Sequence, residues 1–592
     1  MKVFILLSLC IISLGIMAQK IQYPSTQKVN QSDNYFGTII EDPYRWLEDD
    51  TAKNTAAWVV EENKVTQSYF EQIPFRNKLH KRLSELWNYP KYSAPEKNGE
   101  YFTFYKNNGL QNQALLYVQK GIKGKPEILI DPNKLSIDGT VALQATAFSK
   151  KQRYFAYAVS ASGSDWQEIN ILDFNTKKLL SDKIEYVKFT GMSWVGDDGF
   201  YYSGYSKPKE EKTKYSAKTE YQKVFYHKVG TTQEEDMLIY EDKEHPLRYV
   251  GAGVTEDERF LILSIAEGTD GSEIKIKDLQ DKSATGFITL VQGFSTNADV
   301  VDNIGDKILL KTNSAAPNYK LVLADPKNPS EANWKSIIPE TKEPLTFATT
   351  GGNKIFAGYL KDANTLVNQH DLSGKLEHNI QLPGLGTAVG FGSKKEDKEF
   401  YYIFTSFTYP ATIFKYDIAS GKSTLYRKAE VKFNPENFET RQVFYPSKDG
   451  TKVPMFITYK KGLVLNGSKP AMLYAYGGFN INITPAFSVA NIPFIENGGI
   501  YCVANLRGGG EYGEEWHKAG MLQNKQNVFD DFIAAAEYLI KEKYTSSAKL
   551  AIKGGSNGGL LVGACITQRP DLFKVAIPQV GVLDMLRYHK FT

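Results

Sequence analysis

A serine set among glycines lies between two apolar runs near the end of the chain. The strand-like Lys549-Leu550-Ala551-Ile552 runs into Gly554-Gly555-Ser556-Asn557-Gly558-Gly559, and Leu560-Leu561-Val562-Gly563-Ala564-Cys565-Ile566 follows as an apolar helix. Strand, sharp turn and helix are the parts of a nucleophile elbow. The serine must sit at a strained backbone angle with its hydroxyl exposed, so its flanking residues must be small. At the helix start the N–H of Asn557 can donate to an oxyanion developing on a carbonyl attacked by Ser556. Upstream, the apolar Ala471-Met472-Leu473-Tyr474-Ala475 ends in Tyr476-Gly477-Gly478-Phe479, a loop able to bring a second oxyanion donor, here the Tyr476 hydroxyl. Acyl transfer is the chemistry this pattern could perform.

The elements that must hold these residues are strands alternating with helices from about residue 440 onward. Gln442–Phe444, Val453–Tyr459, Ala471–Tyr476, Gly499–Ala504, Leu550–Ile552 and Val575–Ile577 read as strands, and the apolar spacing within Asn527–Lys541 predicts a helix. Such alternation predicts a parallel α/β sheet over residues 431–592. Earlier, residues 19–75 read as partly helical around Ala56-Ala57-Trp58-Val59-Val60. Residues 76–430 read as short alternating strands broken by turn residues. Within that region strand cores recur at Tyr101, Tyr154, Phe200, Phe260, Ile308, Ile355 and Phe400, separated by about 45 to 60 residues. That is the length of a four-stranded blade, and seven starts predict a seven-bladed β-propeller; a pair of β-sandwiches is the alternative.

The composition narrows the function classes. Net charge is only +4 over 592 residues with no long basic block, which excludes a nucleic-acid footprint. Met1-Lys2, the apolar Val3–Met17 and Ala18-Gln19-Lys20 predict a signal peptide cleaved after Ala18, hence a periplasmic or secreted protein without a membrane anchor. The two cysteines beyond it, Cys502 and Cys565, are too few for a disulfide framework and read as buried thiols. The histidines show no metal-ligand spacing, so no metal or other cofactor is expected.

Together Tyr476-Gly477-Gly478-Phe479-Asn480, Arg507-Gly508-Gly509-Gly510-Glu511-Tyr512-Gly513, Gly554–Gly559 and the Asp42–Asp49 segment resemble the prolyl oligopeptidases, in that family's order. The resemblance implies a seven-bladed propeller covering an α/β-hydrolase domain built from both chain ends, and a monomer cutting short peptides after proline. It implies Ser556 as nucleophile, with the Tyr476 hydroxyl and the Asn557 N–H as oxyanion hole. It also implies Phe479 and Val582 as walls of the proline pocket, where a flat apolar ring wants an aromatic and a branched aliphatic neighbour. A relative cutting after Arg or Lys would want carboxylates there and is the second substrate class.

In α/β-hydrolases the acid and then the histidine follow the serine. Between Asn557 and Thr592 only Asp584 and His589 offer those side chains on a compatible stretch, and they stand too close together in sequence to serve. The hydrolase domain is therefore expected to be truncated, and His517, which precedes Ser556, to organise a loop. A non-catalytic propeller module binding peptides or partners is the reading from a different class.

Overall fold

The computed structural model describes residues 21–207, 219–283 and 285–590. The expected signal peptide lies outside them. The chain divides into two compact units, one ending at Leu83 and the other beginning at Ser84.

In the first unit Ser32–Tyr35 pairs antiparallel with Thr38–Glu41, and a helix spans Lys53–Glu71. Arg45 opens the intervening 3-10 turn and binds Asp42 at 2.7 Å and Asp33, while Trp46 Nε1 donates to Gln27 O and Trp58 Nε1 to Thr26 Oγ1. Residues 76–87 were expected to begin the strands; they form a second helix, Arg76–Trp87. Leu79, Leu83 and Leu86 stand at helical spacing, and the fully buried Leu86 packs on Phe438, Val489, Ile492 and Ile495.

Strands then run from Lys91 to Arg427 as antiparallel meanders. They make a five-stranded sheet, an eight-stranded sheet and four four-stranded sheets in chain order. Each of the seven strand cores picked out by periodicity falls on a different strand, from Tyr101–Asn107 to Glu399–Thr405. These strands are apolar on both faces, because alternate residues pack on different neighbours. Leu261 and Leu263 join Tyr201 and Val224 of the preceding sheet, while Phe260 and Ile262 join Ile308 and Leu310 of the next. The last sheet returns to the first: Phe102 and Tyr401 meet edge to face, Lys97 pairs with Asp397, and the Arg427 guanidinium lies 3.7 Å over the Tyr92 ring. Sheets stacked radially and closed in this way make a β-propeller. A cavity of about 1440 Å³ is lined by Glu96, Gly253, Asp302, Ala348, Gly392 and their neighbours, from strands and turns of five of these six sheets.

Beyond the propeller a six-stranded sheet is built from β1 (Phe438–Pro446), β2 (Lys452–Lys460), β3 (Ala471–Tyr474), β4 (Ile500–Ala504), β5 (Leu550–Gly555) and β6 (Val575–Gln579). Their order is β1-β2-β4-β3-β5-β6. The sheet is mixed rather than wholly parallel as expected. Asp449-Gly450 turns β1 back on β2 as a hairpin, and β2 runs antiparallel to β4, whereas β4, β3, β5 and β6 are parallel. Helix α1 (Lys525–Lys541) buries Val528, Phe532, Ala535, Ala536 and Leu539 on this sheet's core. Full burial of each large aliphatic or aromatic side chain there stabilises by about 1.5–3 kcal/mol. Helix α2 (Asn557–Gln568) follows β5 directly.

Candidate active site

Ser556 stands between β5 and α2 with φ 55° and ψ −116°. This conformation costs a residue with a Cβ about 1–3 kcal/mol, and surrounding structure must impose it. The imposition is visible. Ser556 N donates to Gln579 O of β6 at 2.9 Å, and its carbonyl accepts from the Gly559 and Leu560 N–H groups of α2. A Cβ on Gly554 would lie 2.2 Å from the Gly558 carbonyl oxygen, and one on Gly559 would lie 2.5 Å from Gly581 Cα. Strand, helix and the residues after β6 therefore close on one another only where side chains are missing. Ser556 itself is exposed. Asn557, at the first position of α2, has an N–H with no intrahelical acceptor.

The loop after β3 wraps onto this turn. Asn557 Nδ2 donates to Tyr476 O at 2.7 Å and to Gly477 O at 3.1 Å. The Tyr476 ring reaches within 3.6 Å of where a Gly558 Cβ would be, and a Cβ on Gly478 would lie 2.6 Å from Asn557 Nδ2. The structure thus brings Tyr476, Ser556 and Asn557 together. Phe479 (φ 54°) is 51% exposed at the loop's end, and Val582 is 38% exposed just past Gly581.

The Arg507–Gly513 segment supports the loop from below. Arg507 is nearly buried and holds fully buried Asp531 of α1 through Nε and Nη2, and Asp449 of the β1–β2 turn through Nη1 at 2.5 Å. The guanidinium keeps the Asp449 carboxyl down at about 2. Gly508 O accepts from Asn480 N at 3.1 Å and lies 2.8 Å from His517 Nδ1. The buried Glu511 accepts from Ile483 N and Asn505 Nδ2, and desolvation raises it to about 7. His517 accordingly organises a loop, as expected. Cys502 and Cys565 are buried, and desolvation raises both thiols, Cys565 to about 12, so neither is a nucleophile at neutral pH.

Sequence reading missed Arg507–Asp531, Glu511 and Lys525, whose ammonium donates to Gly477 O and Asn557 Oδ1. Asp531, an acid on the apolar face of a predicted helix, was the available signal for a buried ion pair. Lys525 carried none. Among the described residues no histidine is hydrogen-bonded to Ser556, and the Asp584 backbone carbonyl accepts from the N–H groups of Arg587 and Tyr588.

Residues 23–429 match the family description "Prolyl oligopeptidase, N-terminal beta-propeller domain", and residues 485–592 match "Prolyl oligopeptidase family". A prolyl endopeptidase of Elizabethkingia meningoseptica is 54% identical over 97% of this chain and 80% of its own length. Prolyl oligopeptidase A of Amanita bisporigera is 37% identical over 96% of this chain and 80% of its own. Prolyl oligopeptidase B of Galerina marginata, solved as a mutant bound to a 25-residue macrocyclization substrate, superposes with a TM-score of 0.91 at 32% identity. That match covers 96% of this chain and 84% of the solved one. The chain belongs to the prolyl oligopeptidase family and is a serine endopeptidase.

Proposed function

We propose that this protein hydrolyses short peptides after proline, through an acyl-enzyme on Ser556. The observation that carries the proposal is the exposed Ser556 held at φ 55° between β5 and α2 beside the Tyr476 loop. In this reading Ser556 Oγ attacks the carbonyl of the proline residue. The oxyanion takes hydrogen bonds from the Asn557 N–H and the Tyr476 hydroxyl, and Phe479 and Val582 receive the proline ring. A general base and its carboxylate are also required. The names of the relatives support the proline preference, and neither Phe479 nor Val582 offers a carboxylate to Arg or Lys.

The propeller is read as seven-bladed. The eight-stranded sheet divides at its one weak seam, where Lys178–Val187 meets Gly199–Gly204 through the single pair Val187–Gly204. Peptides would reach Ser556 from the propeller side, which limits their size. A monomer exported by the leader is the form proposed, with the periplasm or exterior as its site.

The test is hydrolysis of p-nitroanilides of otherwise identical peptides ending in Pro, Ala or Arg by the full-length gene product. A kcat/KM for Pro at least about 100-fold above Ala and Arg, lost in Ser556→Ala, is expected; equal or greater turnover of the Arg substrate would replace the specificity.

A further inference from the structure

We propose that Lys525 is a positioning residue of the oxyanion site, clamping the Tyr476 loop to the turn that carries Ser556. This rests on the oxyanion reading above. Lys525 Nζ donates to Gly477 O at 2.9 Å and to Asn557 Oδ1 at 3.0 Å. Gly477 follows Tyr476, and Asn557 follows Ser556, so one ammonium ties together the chain segments that bear both oxyanion donors.

Its placement is unfavourable for stability alone. Among the described residues no carboxylate pairs with it, and burial pulls it down to about 8. It also opens helix α1, where the helix macrodipole disfavours a cation. A lysine kept in such a place holds something that an apolar side chain would not.

What it holds is the Asn557 amide. An ammonium can only donate, so its bond fixes Oδ1 toward α1 and directs Nδ2 to the Tyr476 and Gly477 carbonyls. Without the ammonium, Oδ1 loses its donor and the amide loses its preferred orientation. The Tyr476 loop then loses its main cross-link to α2. Asp531, on the same helix, fixes Arg507 beneath the loop, so α1 supports the site at two points.

The experiment compares Lys525→Met, Lys525→Arg, Asn557→Ala and the double variant Lys525→Met/Asn557→Ala in the full-length gene product, using the Pro-ending p-nitroanilide. Lys525→Met is expected to lower kcat roughly 10-fold or more, below the loss from removing an oxyanion donor outright. KM should stay within about twofold and Tm within a few degrees. Lys525→Arg should restore most of kcat, since it keeps a charged donor. Asn557→Ala keeps its backbone N–H and should match the Lys525→Met loss, and the double variant should be no slower than either single one. Wild-type kcat in Lys525→Met, or multiplying losses in the double variant, would overturn the proposal. If Lys525→Met fails to fold, Asn557→Ala decides: full kcat there overturns it equally. Tyr476→Phe separates the two readings. Wild-type kcat in that variant would remove the oxyanion assignment itself, whereas a loss there with none in Lys525→Met would remove only the clamp.

Discussion

Replacing Ser556 by glycine is expected to stabilise the hydrolase domain relative to replacing it by alanine, reversing the usual order of these residues. At an ordinary position alanine is favoured by about 0.5–1 kcal/mol, because glycine loses more backbone freedom on folding. At φ 55° and ψ −116° any residue with a Cβ carries strain of about 1–3 kcal/mol. Ser556→Ala keeps the Cβ and therefore the strain; Ser556→Gly releases it. The balance favours glycine by about 0.5–2 kcal/mol. In a domain of this size that moves the melting transition by roughly 2–4 °C per kcal/mol. Differential scanning calorimetry of the two variants, side by side at one pH and salt, reads the difference. Neither variant retains the hydroxyl, so no activity enters the comparison. A Ser556→Gly transition below that of Ser556→Ala would mean that the turn is unstrained, and the elbow geometry would fail with it.

Gly559→Ala should cost about 1–3 kcal/mol, since its Cβ would meet Gly581 Cα at 2.5 Å and Gln579 O at 2.9 Å, backbone atoms that cannot rotate away; an unchanged urea midpoint would contradict it. Arg507→Met should cost about 3–5 kcal/mol by leaving Asp531 charged and fully buried, and adding Asp531→Leu should recover part of that loss. A double variant less stable than the single one would refute this. In the propeller, His227 lies fully buried between Asp236 at 2.7 Å and Asp182 at 3.1 Å. Desolvation pulls its pKa down, but Asp236 and then Asp182 outweigh it and raise the folded value above 6.5. Its contribution is complete below about pH 6.5 and is lost as pH rises through the folded value. The propeller transition should therefore move to lower temperature as pH rises above about 6.5, and His227→Gln should flatten that dependence. Equal pH slopes in the two proteins would exclude the imidazolium.

The features legible in the sequence were those that repeat or alternate. Strand cores at Tyr154, Phe260 and Phe400 showed because both faces of each strand are buried, so apolar residues run on without the gaps a half-exposed strand would have. The elbow showed because close packing forbids side chains at Gly554 and Gly559, which leaves a mark in residue type. Helix Arg76–Trp87 was missed because three leucines on one face, among lysines and arginines, resemble a strand fragment when taken in short windows. The support under the site was harder to read, since Lys525, Arg507 and Glu511 act through partners distant in sequence, such as Asp449, 58 residues from Arg507. A single charged residue carries no spacing signal for a partner that folding alone brings near.

Ser556 is proposed as the nucleophile of a protein that recognises proline. Treating the full-length gene product with a diphenyl phosphonate analogue of a proline-ending peptide, then mapping the adduct by tandem mass spectrometry, examines both parts at once. A single adduct is expected on the peptide containing Ser556, absent from Ser556→Ala and slowed by an excess of a short proline-containing peptide. An adduct on another residue, or none while the protein still hydrolyses the Pro-ending p-nitroanilide, would contradict the proposal.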